Sequence, residues 1–148
     1  MSEPEVIFII PYRDREKEKR DFINKMYPLI NSSSKYKVYF IHQKDNRPFN
    51  RGAMKNAGFI ILKEMYKNYK NISFVFNDVD TIPKNNKLLN YQTKKGIVKH
   101  FYGYEHTLGG IVSIKGIDFE NSEGFPNCWG WGFEDIVLQS RCLKCNLL

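Results

Sequence analysis

Ile72-Ser73-Phe74-Val75-Phe76-Asn77-Asp78-Val79-Asp80-Thr81-Ile82-Pro83 is the stretch whose reading decides the fold. Its first five residues are almost continuously apolar and rich in β-branched and aromatic side chains. Such a run reads as a strand buried on both faces, as in a parallel sheet. Two carboxylates follow at once, Asp78 and Asp80, and a proline closes the segment. In extended chain, residues i and i+2 share a face. Hard oxygen ligands in that arrangement suit Mg²⁺ or Mn²⁺, ions that keep coordination positions open for phosphate oxygens. A metal–diphosphate is one use of the pair; a polar turn closed by Asx-type hydrogen bonds is the other.

Working outward, Val6-Ile7-Phe8-Ile9-Ile10 is a second uninterrupted apolar run, ended by Pro11. Residues 14–30 read as an amphipathic helix with Phe22, Ile23, Met26, Leu29 and Ile30 as its apolar stripe. Asn31 to Ser34 reads as a loop, Tyr36 to His42 as a strand, and Asn50 to Tyr69 as a long helix with Met54, Ala57, Ile61, Met65 and Tyr69 on one face. Strand, helix, strand, helix, strand predicts an α/β fold with a mainly parallel central sheet flanked by helices. Ligands of such sheets bind outside the carboxyl ends of the strands. Pro11-Tyr12-Arg13 and Asp78-Val79-Asp80 both fall at such ends. Beyond Pro83, residues 84–96 read as loop with room for a short helix, 109–114 as a strand, 124–132 as a glycine- and tryptophan-rich loop, and 133–144 as a final helix. No repeat is present, so residues 1–148 read as one domain.

The chain has 148 residues, 42% hydrophobic and 15% aromatic, enough for a real core and unlike a disordered composition. No apolar run approaches the roughly 20 residues that span a bilayer. The acidic, polar N-terminus is not a signal peptide, and the expectation is an intracellular, cytoplasmic, soluble protein without a membrane span. The net charge of +7 admits anionic ligands, although lysines such as Lys17, Lys19, Lys63 and Lys67 read as solvated helix faces. Cys128, Cys142 and Cys145 are too few and odd in number for a disulfide framework. Cys142 and Cys145 have C-x-x-C spacing but no second ligand pair, which argues for free thiols over zinc.

The aspartate pair has company. Ile9-Ile10-Pro11-Tyr12-Arg13-Asp14-Arg15 follows the first strand, Phe49-Asn50-Arg51-Gly52 opens the long helix, and Gly109-Gly110 precedes Gly124-Phe125-Pro126-Asn127-Cys128-Trp129-Gly130-Trp131-Gly132-Phe133-Glu134-Asp135. In this order the set resembles the β-1,4-galactosyltransferase family, over about residues 6 to 140. The resemblance implies the GT-A fold, Rossmann-like, with Mn²⁺ (or Mg²⁺) and a UDP-sugar donor. It implies Asp80 as metal ligand. Asp78 and Val79 are implied beside the nucleotide ribose or the shell of the metal, and Pro11, Tyr12, Arg13 and Arg15 along the uridine and diphosphate. Arg51 is implied to reach the diphosphate and Phe49 to pack on the uracil; an arginine's planar fork suits phosphate on physical grounds as well. By the same resemblance Asp135 is the catalytic base, Glu134 holds donor-sugar hydroxyls, Trp131 closes over the donor, and Gly109 and Gly110 let the backbone approach the sugar. The implied reaction is metal-dependent inverting transfer of galactose or N-acetylgalactosamine onto a sugar or glycoprotein acceptor.

The chain also departs from the family pattern. Thr107 stands where galactose-specific members carry a tyrosine that crowds the C2 substituent of the sugar, and Leu108 stands at the family's phenylalanine. The acidic run after Asp135 is replaced by Ile136 and Val137, and Phe133 stands where the family has glycine. No histidine follows His106, whereas family members continue into a segment with a metal-binding histidine, so a C-terminally truncated domain is expected. Two other readings stand beside the enzyme: a nucleotide-sugar or glycan-binding module with impaired catalysis, and a nucleic-acid-binding domain suggested by charge alone. The latter needs a basic face with stacking aromatics, but here the aromatics of 125–133 lie beside two acids, and no nucleic-acid partner is expected.

Overall fold

The structure is a computed structural model and describes residues 3–31, 34–84 and 88–147. In chain order it contains β1 (Val6–Tyr12), α1 (Glu16–Asn31), β2 (Tyr36–His42), α2 (Arg51–Met65), a single 3₁₀ turn (Tyr69–Asn71), β3 (Ser73–Asn77), β4 (Lys99–Tyr102), β5 (Ile111–Lys115), α3 (Gly116–Asn121) and α4 (Glu134–Lys144). Within the described residues the strands form one sheet in the order β2-β1-β3-β5-β4. β1 pairs in parallel with both β2 and β3, and β5 runs antiparallel to β3 and β4. The expected α/β architecture is present, with its parallel half on the two apolar runs that announced it.

Alternation along the strands sorts the core into two layers. Ile7, Ile9, Phe74, Phe76, Val112 and Ile114 face one side, under Phe59 and Leu62 of α2, Phe119 of α3 and Leu138 and Cys142 of α4. Val6, Phe8, Ile10, Val75 and Ile111 face the other, under Phe22, Met26 and Ile30 of α1. The α1 stripe is close to the one expected, although Ile23 is 36% exposed.

Several expectations are corrected. The long helix ends at Met65, and its buried face is Gly52, Lys55, Gly58, Phe59 and Leu62. Ile61 and Met65 are exposed. Two glycines and a lysine hide this face from a hydrophobic count, yet the glycines let α2 lie close on the sheet: a Cβ at Gly58 would come within 2.9 Å of side-chain carbons of Ile9 and Ile41. The short strand β4 and the single-turn-and-a-half helix α3 carry no periodic signal and were not expected. Asn31 belongs to α1; residues 32–33 of the expected loop, 85–87 of the segment 84–96, and Leu148 lie outside the described residues, and the described part of 84–96 holds no helix. No helix among the described residues is long and apolar enough to cross a membrane.

The contact at Gly58 predicts that Gly58→Val, which adds bulk where α2 meets β1 and β2, lowers the unfolding free energy by about 1–3 kcal/mol in urea titration. The exposed control Ile61→Val changes it by less than about 0.5 kcal/mol.

Candidate active site

The chain leaves β3 through a turn that its own residues close. The buried Asn77 donates from Nδ2 to the carbonyls of Asp78 (2.7 Å) and Thr81 (2.9 Å), and Thr81 N–H donates to Asp78 O at 3.0 Å. The turn reading of this stretch is therefore correct, but Asn77 supplies the Asx-type bonds and the aspartates are free for other work. They take different work. Asp78 turns inward to cations, whereas Asp80 is exposed and makes no hydrogen bond or ion pair within the described residues.

Arg51, the first residue of α2, is the centre of the inward cluster. Its Nη1 donates to Asp78 Oδ2 at 2.6 Å, its Nε to Glu134 Oε1 at 2.6 Å, and its Nη2 to Asp135 Oδ2 at 2.9 Å. One turn further along the same helix face, the fully buried Lys55 places Nζ 3.2 Å from Asp78 Oδ1 and 3.8 Å from Asp135 Oδ1. Glu134 and Asp135 occupy the first turn of α4, where the helix dipole favours carboxylates. A cation at the N-terminus of α2 opposes that helix's dipole, and α2 has no acid of its own in its first turn; β3 and α4 supply the anions instead. Burial opposes the charge of Arg51, but Asp78, Asp135 and Glu134 outweigh it and hold its pKa up. Burial pushes the Asp135 carboxyl above its ordinary value, against the pull of Lys55 and Arg51.

At the end of β1, Tyr12 is buried, stacks on His42 (centroids 4.5 Å apart) and accepts a hydrogen bond from Lys19 Nζ at 2.8 Å. Arg13 and Arg15 precede α1 and pair locally, with Asp14 at 3.2 Å and Glu18 at 2.8 Å. Together with Pro11, Phe49, Arg51, Asp78, Val79, Asp80 and Trp131 they surround a cleft of about 310 Å³. The residues assigned to the nucleotide thus converge in space, from the ends of β1 and β3 and the start of α2.

A second cavity, of about 650 Å³, adjoins it across Arg51, Asp78, Asp80 and Trp131 and adds Thr107, Gly109, Gly110, Tyr102, Tyr104, Phe133, Asp135 and Ile136. Its rim is aromatic and open: Trp131 is 94% exposed, between Gly130 and Gly132, both at positive φ. The two glycines before β5 have structural duties nearer than a ligand. A Cβ at Gly109 would lie 2.6 Å from Asp135 Oδ2, and one at Gly110 would strike Tyr102 O. Gly109 therefore makes room for Asp135 itself, and Leu108 N–H donates to Asp135 O at 3.2 Å to hold the start of α4 there.

Among the described residues no group of three or more His, Cys, Asp or Glu side chains is placed to hold a metal ion; both oxygens of Asp78 already face Arg51 and Lys55. Asp80 alone of the pair is an open hard ligand, on the wall common to both cavities. That fits an ion bound by one carboxylate together with phosphate oxygens and water, the usual habit of Mg²⁺-like ions with nucleotides.

Sequence reasoning missed several residues that build the site. Lys55 was hidden by its charge on a core-facing position. Asn50 caps α2, accepting from Ala53 N–H at 2.9 Å and donating to Asn127 Oδ1 at 2.6 Å. Asn56 exchanges two hydrogen bonds with the Phe125 backbone, at 2.8 and 3.0 Å. Arg47 lies over the Trp129 ring at 4.1 Å. The N-cap position of Asn50 was the one signal available; the partners of Lys55 are 23 and 80 residues away, and those across to the 125–129 loop are 69 or more residues away.

Comparison with known proteins agrees with this geometry. Residues 1–93 match the family model of the N-terminal region of glycosyl transferase group 7, and residues 96–148 that of the N-terminal domain of galactosyltransferase. Beta-1,4-galactosyltransferase 1 of Bos taurus is 31% identical over 95% of this chain, which spans 37% of that protein's length. Xylosylprotein 4-beta-galactosyltransferase of Caenorhabditis elegans is 32% identical over 94% of this chain and 50% of its own length. Among solved structures, the catalytic domain of Drosophila beta1,4galactosyltransferase 7 in complex with xylobiose superposes with TM-score 0.80 and 26% identity, over 98% of this chain and 63% of that one. A mutant of the same Drosophila protein in complex with manganese, UDP-Gal and xylobiose, 24% identical, shares the fold with TM-score 0.80. The strand order, the cleft at the ends of β1 and β3 and these matches together place the chain in the galactosyltransferase family of glycosyl transferase group 7, with the GT-A fold.

Proposed function

We propose that residues 1–148 act as a single domain that transfers galactose or N-acetylgalactosamine from a UDP-sugar to a hydroxyl of a sugar or glycosylated acceptor, with inversion. The observation that carries this reading is Asp135, a carboxylate lining the larger cavity, with a glycine opposite it and two cations behind it. The names of the relatives and the UDP-Gal and xylobiose complex of the Drosophila neighbour support the substrate class.

In this reading the smaller cleft takes the nucleotide. Tyr12 and Phe49 offer apolar walls for the base, and Arg13 and Arg15 face the anionic end. Asp135 accepts the proton of the acceptor hydroxyl as that oxygen attacks the anomeric carbon; the bond from that carbon to the diphosphate oxygen breaks and UDP departs. Arg51, itself anchored by Glu134, holds Asp135 in place, and Trp131 covers the donor and excludes water. Asp80 would hold Mn²⁺, or Mg²⁺ in its place, which when bound neutralises charge on the leaving diphosphate. Thr107 lines the sugar end of the larger cavity, where a short side chain leaves space for an N-acetyl group, so both donors are admitted.

Incubation with UDP-galactose, Mn²⁺ and a panel of β-xylosides and β-N-acetylglucosaminides is expected to give a β-linked disaccharide by NMR. Asp135→Asn lowers kcat by about 10²- to 10⁴-fold with UDP affinity retained. UDP binding without transfer by the wild type would assign the binding-module reading instead. Thr107→Tyr is expected to lower the use of UDP-N-acetylgalactosamine relative to UDP-galactose by about tenfold or more; equal donor ratios in the two proteins would contradict the steric role of Thr107.

A further inference from the structure

We propose that Lys55 is a positioning residue of this site, whose buried ammonium, set between Asp78 and Asp135, fixes the Asp135 side chain and keeps it charged for proton transfer; this rests on the reading of Asp135 as the proton acceptor. Three observations lead there. Lys55 is completely buried, on the face of α2 that otherwise presents Gly58, Phe59 and Leu62 to the core. Taking an ammonium out of water is costly, and a well-packed apolar residue at such a position is commonly as stabilising or more so. The lysine also approaches two carboxylates from different elements, 3.2 Å from Asp78 Oδ1 and 3.8 Å from Asp135 Oδ1. Finally, it lines neither cavity, so it touches no substrate and acts through its partners.

The charge balance gives the mechanism. Asp135 is faced by Arg51 and Lys55 from α2, by Asp78 from the end of β3, and by Glu134 from its own helix. Two cations against three carboxylates leave the cluster at −1; without Lys55 it stands at −2, with Arg51 alone shared among three anions. The carboxylate best placed to relieve that repulsion by taking a proton is Asp135, which burial already disfavours as an anion. A protonated Asp135 accepts nothing from an acceptor hydroxyl. Arg51 cannot replace the lysine: it holds Asp135 Oδ2, whereas Oδ1 is buried with Lys55 as its cationic neighbour.

The test follows the Asp135 carboxyl carbon by ¹³C NMR against pH in aspartate-labelled protein without metal or nucleotide, the resonance assigned with Asp135→Asn. Lys55→Met is expected to move its titration midpoint up by about one pH unit, the usual effect of losing a cation at this range, and Lys55→Arg to leave it near the wild-type value. The acid limb of kcat shifts with it, while the KM for the donor does not. If Lys55→Met does not fold, Lys55→Gln removes the same charge with a polar side chain and leaves Asp78 in place, so the cluster again stands at −2 and the midpoint rises as in Lys55→Met. A midpoint unmoved in whichever variant folds overturns the proposal. Transfer absent in every protein, wild type included, with the midpoint shift present, overturns the transfer reading while supporting the Lys55–Asp135 coupling.

Discussion

The guanidinium of Arg51 is the tie on which the site depends. It binds Asp78 from the end of β3 and Glu134 and Asp135 from the start of α4, so three elements far apart in sequence meet at one side chain. Charge-assisted bonds of this kind are shorter and stronger than neutral ones. Their worth here is mainly one of placement. A buried ion cluster is weak evidence for stability in itself, but removing one partner strands the rest as uncompensated charge. The cluster therefore locks the register of α4 against β3 and brings the acids to the edge of both cavities.

That arrangement divides the labour of the four acids. Asp78 and Glu134 are occupied by cations and act as framework. Asp135 is held but borders the larger cavity, and Asp80 faces outward, in no ion pair among the described residues and with Arg15 acting on it only from a distance. Two carboxylates two residues apart in sequence thus have opposite fates, because the turn closed by Asn77 sends one inward and one out. The cavity's open rim of Tyr104, Trp131 and Phe133 supplies apolar faces beside a polar floor, the mixture that sugar rings with their CH and OH faces fit.

Much of the fold was legible in the sequence because buried parallel strands are long apolar runs, and both β1 and β3 announced themselves that way. The motif residues were legible too, and the structure gathers Arg13, Arg51, Asp78, Asp80, Glu134 and Asp135 around two adjoining cavities. What was not legible depends on tertiary context. The buried face of α2 is made of glycines and a lysine, so its hydrophobic pattern pointed to the wrong side of the helix. Edge strand β4 is four residues long and half-buried, too short for a periodic signal. Gly109 was read as a place where backbone meets sugar; its lack of a side chain is needed first by Asp135, a contact that only the packing of α4 creates. Arg51 lines the smaller cleft as expected, but its carboxylate partners, 27 or more residues away, had no local signal.

The most direct measurement of this account is calorimetric titration of UDP into the protein, with and without Mn²⁺, for wild type and Asp80→Ala. With Arg51 and Lys55 already held by protein carboxylates, the diphosphate is left, in the proposed reading, to Arg13, Arg15 and a cation that Asp80 would hold. The predicted result is binding with Mn²⁺ that is lost or greatly weakened without it, and lost in Asp80→Ala. Equal affinity with and without the ion, or in the presence and absence of the Asp80 carboxylate, would contradict it.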